Sequence, residues 1–173
     1  MYRRQKWALE AAVATLLIAG SARGATLEWD ASGNNPISPQ PGSGNWDTTN
    51  ANWSNGTTDV PWINGSTAVF PFDSNSDTVT IVDSSGTVDV AEINFEGPNY
   101  TVGANAGDSL TMTTPGGAFL HTGTVSAPIS STNTFGISCA LGTLTLSGHS
   151  TYSGLTQIGD DTLLLANGAL PRS

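Results

Sequence analysis

Basic residues are nearly missing from this chain: five Lys and Arg stand against fourteen Asp and Glu in 173 residues. Four of the five, Arg3, Arg4, Lys6 and Arg23, lie at the amino end, and only Arg172 follows them. A chain so poor in positive charge repels phosphate backbones, which excludes nucleic acid as a partner. Cysteine is almost absent too. Cys139 stands alone and cannot close an internal disulfide, and with no basic cluster to activate a thiolate it is expected to pack inside a strand. No apolar period of 3.6 residues runs for a useful length after Ala25, which argues against a helical fold. The chain also lacks a G-x-S-x-G elbow, a zinc-ligand spacing and a phosphate-binding loop, so no enzyme class is indicated and no cofactor or metal is expected.

What is present begins with an export signature. Arg3, Arg4 and Lys6 form a basic head, Ala11 to Ala19 a short apolar run, and Ala22-Arg23-Gly24 a small-residue cleavage site. Residues 1–24 therefore read as a signal peptide of the general secretory type. Its apolar run is too short to span a bilayer, and no stable membrane span is expected after cleavage. The mature chain would start near Ala25 and be secreted or displayed at the cell surface. Cleavage leaves thirteen acidic residues against Arg172, a formal charge of −12. Asp73, Asp77, Asp83, Asp89, Glu92 and Glu96 do not follow a D-x-[DN]-x-[DN]-G loop, and no calcium-binding nonapeptide array occurs. A solvated acidic surface is the expectation for them.

The rest of the chain is rich in Thr, Ser, Asn and Gly, with short alternating apolar runs. Residues 25–45 read as an irregular amino-terminal segment, because Gly33, Asn34, Asn35, Pro36, Pro39, Pro41 and Gly42 crowd together. Residues 46–138 read as a strand-rich block, with runs such as Ala68-Val69-Phe70, Thr78 to Val82, Ile93-Asn94-Phe95 and Tyr100-Thr101-Val102. Turn clusters at Asp83 to Gly86 and Glu96 to Asn99 separate them. That rhythm is also what a β-sandwich gives, so for this half a sandwich stands as the alternative to coils. In residues 139–173 the pattern sharpens: Leu144-Thr145-Leu146 and Leu163-Leu164-Leu165 begin equivalent runs nineteen positions apart, with Gly148, Gly154, Gly159 and Gly168 between or after them. A spacing of that size filled with three-residue strands suits one coil of a parallel β-helix. One coil cannot bury its own face and needs neighbours.

The same residues carry a family resemblance. L-T-L-S-G, T-Y-S-G, T-x-I, T-L-x-L and N-G-A-L, from Leu144 to Leu170, resemble the autotransporter-associated β-strand repeat of secreted or surface-displayed bacterial passenger proteins. The stretch from Trp46 to Gly103, with W-D-x-x-x-x-N-W, W-I-N-G-S-T-A-V-F and V-D-V-A-E-I-N-F-E-G-P-N-Y-T-V-G, resembles the opening block that precedes such repeats. Ser150 stands where the repeat usually has Asn, and Asp161 where it usually has Gly. The resemblance implies a right-handed parallel β-helix serving as a structural or adhesive passenger rather than a catalyst. It also implies further repeats after Leu170, so that the chain is expected to be cut short.

Candidate site residues are few. Trp29, Trp46, Trp53 and Trp62 cluster early, and of these Trp46, Trp53 and Trp62 are the glycan-stacking candidates. The competing reading is an aromatic plug over the open first coil, which the match of Trp46 and Trp53 to the opening block favours. Asp160 and Asp161 with His149 bring to mind the acids of a glycan-degrading β-helix, but adjacent strand residues face opposite ways and a turn is the better reading. His121 has no motif partner, and Asn52, Asn55 and Asn64, although in N-x-[ST] triplets, read as turn residues. The expected function is a non-catalytic secreted passenger segment whose partner is a cell-surface or extracellular glycan or protein. The alternative is a glycan-binding or glycan-degrading β-helix protein.

Overall fold

Short β-branched and aromatic runs bounded by Gly, Asn, Asp and Pro form strands of two to eight residues, each too short to stand alone. The computed structural model describes residues 24–113, 117–131, 137–140, 142–159, 162–166 and 168–170. The expected signal peptide, apart from Gly24, lies outside them, as do Asp160, Asp161 and the side chain of Cys139. The amino-terminal part holds β1 (Thr26–Trp29), β2 (Gly44–Trp46), β3 (Trp53–Ser54) and β4 (Asp59–Val60). Next come β5 (Ser66–Phe70), β6 (Asp77–Ile81), β7 (Val88–Phe95), β8 (Tyr100–Ala104) and β9 (Leu110–Met112). The remainder is β10 (Gly117–Leu120), β11 (Gly123–Val125), β12 (Ile129–Ser131), β13 (Ile137–Ala140), β14 (Thr143–Leu146), β15 (Thr156–Ile158) and β16 (Thr162–Leu165). A single 3-10 turn, Asp83–Ser85, is the only helical element among the described residues. No helix there is long and apolar enough to cross a membrane.

The strands wind into a parallel β-solenoid of about four turns. One face stacks β1, β5, β7, β10, β13 and β15 in parallel, and a second stacks β2, β6, β8, β11, β14 and β16. The first residues of β7 pair with β9, and β9 with β12, which makes a short third face. A register shift at Ala91, between the Ser66–Val90 and Thr67–Glu92 pairs, carries β7 round the corner from the third face to the first. Thr26, Thr67, Glu92, Ala118, Ser138 and Gln157 lie in one row, so the coil shortens from 41 residues to 25, 26, 20 and finally 19. Leu144 faces Leu163 directly, which is the nineteen-residue repeat read from the sequence. The β-sandwich alternative for the amino-terminal half fails, because β5 to β8 join the same parallel faces as the tail.

Alternation puts every second side chain inside. Val79, Val102, Val125 and Leu146 follow one another up the second face and are all buried. Leu27, Ala68, Ile93 and Phe119 do the same on the first, and Val88, Leu110 and Ile129 on the third. The outward neighbours are polar: Thr78, Thr101, Thr124 and Thr145 form one row across four coils. Motif residues of the tail serve the same plan. Tyr152 is 2% exposed, its hydroxyl within 2.7 Å of Thr156 Oγ1. A Cβ on Gly148 would come within 2.3 Å of the Ala127 carbonyl oxygen, so the tight approach of successive coils demands glycine there.

The amino end is closed. Strand β3 pairs antiparallel with β1 and then with β4, which folds a flap over the first coil. Residues 25–45, expected to be irregular, contribute β1 and the start of β2. Their proline-rich loop is tied down as well, by Ala31 N–H to Gln40 O, Trp29 Nε1–H to Gly42 O and Ser54 Oγ–H to Pro36 O.

Candidate functional site

Three places gather the residues that sequence reasoning singled out. The first is the aromatic end. Trp29, Trp46 and Trp53 are fully buried and Trp62 is 3% exposed. Trp53 lies 5.2 Å from Trp29, 4.9 Å from Trp46 and 4.7 Å from Trp62 between ring centroids, and Phe70 stacks below the group with Phe95 at 5.4 Å. These spacings belong to packed aromatic pairs. None of the glycan candidates Trp46, Trp53 and Trp62 turns an open ring face to solvent, and the geometry is that of a plug.

The second place is a set of carboxyls that the sequence did not distinguish from its solvated acids. Asp30, fully buried, is held by Ser32 N–H, Ser32 Oγ–H, Asn35 N–H and Gln40 N–H at 2.6–3.1 Å. Burial alone would raise its pKa, but these hydrogen bonds together hold it below the ordinary value. Asp47, 6% exposed, behaves alike: burial opposes ionisation, and donors from Asn50 and Thr49 outweigh it. Asp59 goes the other way. Burial, the charge of Asp30 and a hydrogen bond shared with that carboxyl push it up.

Asp73 and Asp77 form a second carboxyl pair in the turn from β5 to β6, both 8% exposed. Asn75 N–H and Nδ2–H donate to Asp73 Oδ1 at 3.0 Å, which with a hydrogen bond from Asp77 lowers its pKa. Asp77 is raised, by burial first and then by Asp73, against one donor, Ser43 Oγ–H at 3.1 Å. Tyr100 faces Asp77 in the neighbouring strand, 1% exposed, and burial with the charges of Asp77, Asp73 and Glu28 drives its phenol pKa well above the ordinary range. The expectation of a solvated acidic surface is thus corrected for Asp73 and Asp77, whose spacing of four across a turn brings both inward. No sequence signal announced this, since Ser43 comes from the loop before β2 and Tyr100 from strand β8. Among the described residues no group of three or more His, Cys, Asp or Glu side chains converges.

The third place is an open groove of about 450 Å³ where the first face turns into the second, lined by Phe95, Glu96, Gly97, Pro98, His121 and Thr122. His121 sits at φ 65°, an uncommon backbone for a residue with a Cβ, and its Nδ1 lies 2.7 Å from Asn94 Oδ1. His149 lies elsewhere, its ring against the Gly168 turn. Of the triplet asparagines, Asn55 Oδ1 accepts from Thr57 and Thr58 N–H, and Asn64 bridges Thr87 O and Asp89 N–H. Both brace turns, as read from the sequence. Comparison with protein-family models, with curated proteins and with solved structures finds no match to this chain.

Proposed function

We propose that this chain is a secreted or surface-displayed β-helical passenger segment with a structural or adhesive role and no catalytic activity. The observation that carries the reading is the stack of parallel coils, closed at its amino end by an aromatic plug, with an apolar interior and an outward row of Thr. Such a stack satisfies backbone hydrogen bonds between coils and leaves its outward rows and turns free to display a binding surface. The repeat resemblance of Leu144 to Leu170 and the basic-apolar-small pattern of residues 1–24 add the bacterial export setting.

The test is expression of the full chain in a bacterial host, followed by fractionation and amino-terminal sequencing. Export predicts a product beginning near Ala25 outside the cytoplasm, and an uncleaved cytoplasmic product overturns it. The exported protein is then offered to immobilised extracellular proteins and polysaccharides. Saturable binding without turnover supports the adhesive role, and release of sugar products overturns the non-catalytic one.

The glycan reading keeps one specific observation, the open groove of Phe95, Glu96, Pro98 and His121. A surface-directed double substitution, Glu96→Gln with His121→Asn, separates it from the scaffold reading. Loss of polysaccharide binding with an unchanged circular dichroism spectrum favours the groove. Unchanged binding places recognition elsewhere.

A further inference from the structure

We propose that Asp73, Asp77, Ser43 and Tyr100 form a binding site for a hard divalent cation of calcium's size. Asp77 Oδ2 is buried with no partner beyond the Asp73 carboxyl, and Tyr100 Oη, buried in the neighbouring strand, has only the Gly42 backbone within reach. A buried polar atom left short of partners costs about 1–3 kcal/mol and marks a place built for something else. The carboxyl of Asp73 reaches that of Asp77, while Ser43 Oγ lies 3.1 Å from Asp77 Oδ1. The two carboxylates are oxygen donors of the kind calcium takes, and water is free to complete the shell from the exposed Ser43 side.

Charge makes the same point independently. Two neighbouring carboxyls cannot both ionise inside a protein without a counter-charge. The described residues contain no Lys or Arg at all. The titratable groups turned toward the pair are Tyr100 and, acting on Tyr100, Glu28, and neither supplies positive charge. Asn75 and Asn99 contribute only neutral donors, to Asp73 Oδ1 and Asp73 O. Neutralisation therefore comes from a proton or from a cation out of solution. Mg²⁺ fits less well, because it demands a stricter octahedral shell than these loosely arranged donors offer.

The experiment is calorimetric titration of the exported full chain with CaCl₂ after EGTA treatment, with thermal melts at each calcium level. The expected result is one site with a dissociation constant of about 10⁻⁴–10⁻³ M, the range of extracellular modules. A calcium-dependent rise in Tm is expected with it. Asp77→Asn keeps the shape and can still donate to Asp73, so it should fold and lose at least tenfold in affinity. Tyr100→Phe should weaken binding several-fold. Tb³⁺ provides a readout free of folding doubts: in the wild-type protein its luminescence should be sensitised by Tyr100 and displaced by calcium. Absence of both calcium heat and terbium luminescence overturns the site, as does an unchanged titration in a folded Asp77→Asn.

Discussion

Trp53 touches three other indoles at 4.7–5.2 Å and has no exposure, so its role is set by packing rather than by any ligand. Trp53→Ala removes the centre of the plug, and the expected cost is about 3–5 kcal/mol, read as a lowered urea midpoint. Trp53→Phe, which keeps an aromatic ring, should cost much less. Asp47 tests a polar counterpart. Its folded pKa is depressed, so its contribution to stability is present above the ordinary carboxylate value of about 3.9 and is lost as pH falls through the lower folded value. Asp47→Ala should therefore destabilise by about 1–3 kcal/mol at neutral pH and by progressively less in acid, where the wild type has already lost the ionised carboxyl. Asp77 carries the opposite sign: folding favours its protonated form, so in EGTA Asp77→Asn should raise Tm at neutral pH, and the gain should vanish below about pH 4. The plug was legible in the sequence because four tryptophans cluster between residues 29 and 62 and two fit the opening-block pattern. The carboxyl pair was not, because its environment is assembled from Ser43 and Tyr100, which no local spacing links to residues 73 and 77.

At the scale of strands and coils, legibility follows coil length. Leu110 and Ile129, Ile137 and Thr156, and Leu144 and Leu163 pair nineteen residues apart, and the apolar runs at Leu144 and Leu163 fall directly opposite one another. Two runs that stack and share a composition can be matched by eye. Earlier coils of 25, 26 and 41 residues have loops of unequal length between their strands, so no fixed period survives, and the alternation of Val88 to Phe95 fits a sandwich as well as a coil. The corner at Ala91 is likewise invisible, since one eight-residue strand serves two faces. The glycines of the tail do carry positional information. Gly148→Ala would place a methyl 2.3 Å from the Ala127 carbonyl oxygen, in backbone that cannot swing aside. We expect Gly148→Ala to separate the coils of β12 and β14 locally. Faster amide exchange should appear at Ser147 and Thr151, whose N–H groups bond to Val125 and Ile129 of the coil beneath. Unaltered exchange at both amides would mean that the close approach carries no constraint. At Gly168 both reasons act together, since its φ of 81° is left-handed backbone and a Cβ there would stand 2.6 Å from the His149 ring.

The whole molecule has two unlike ends. At the amino end the antiparallel flap of β3 and β4 and the tryptophan plug cover the first coil, so the edge of the first face passes to the two-residue strand β4. At the other end β15 and β16 each pair on one side only among the described residues. Leu165 and Ile158 are each 47% exposed, Leu164 is 50% and Leu155 is 87% exposed. An unpaired parallel edge carrying apolar side chains is a template for further strands, and in a purified protein the strands at hand belong to other copies. The strong negative charge opposes that encounter at low salt, and screening removes the opposition as the Debye length falls from about 30 Å at 0.01 M to about 3 Å at 1 M ionic strength. Association should therefore grow with added salt, in contrast to an assembly held by ion pairs. Ile158→Lys with Leu164→Lys places charge on both outer strands at half-exposed positions, where the cost to folding stays within about 0.5 kcal/mol. Light scattering across a salt series should show the wild type growing in mass and the double variant remaining a monomer. Equal growth in both would move the sticky surface away from this end, and the exposed Phe72 beside the turn from β5 to β6 would be the next residue to replace.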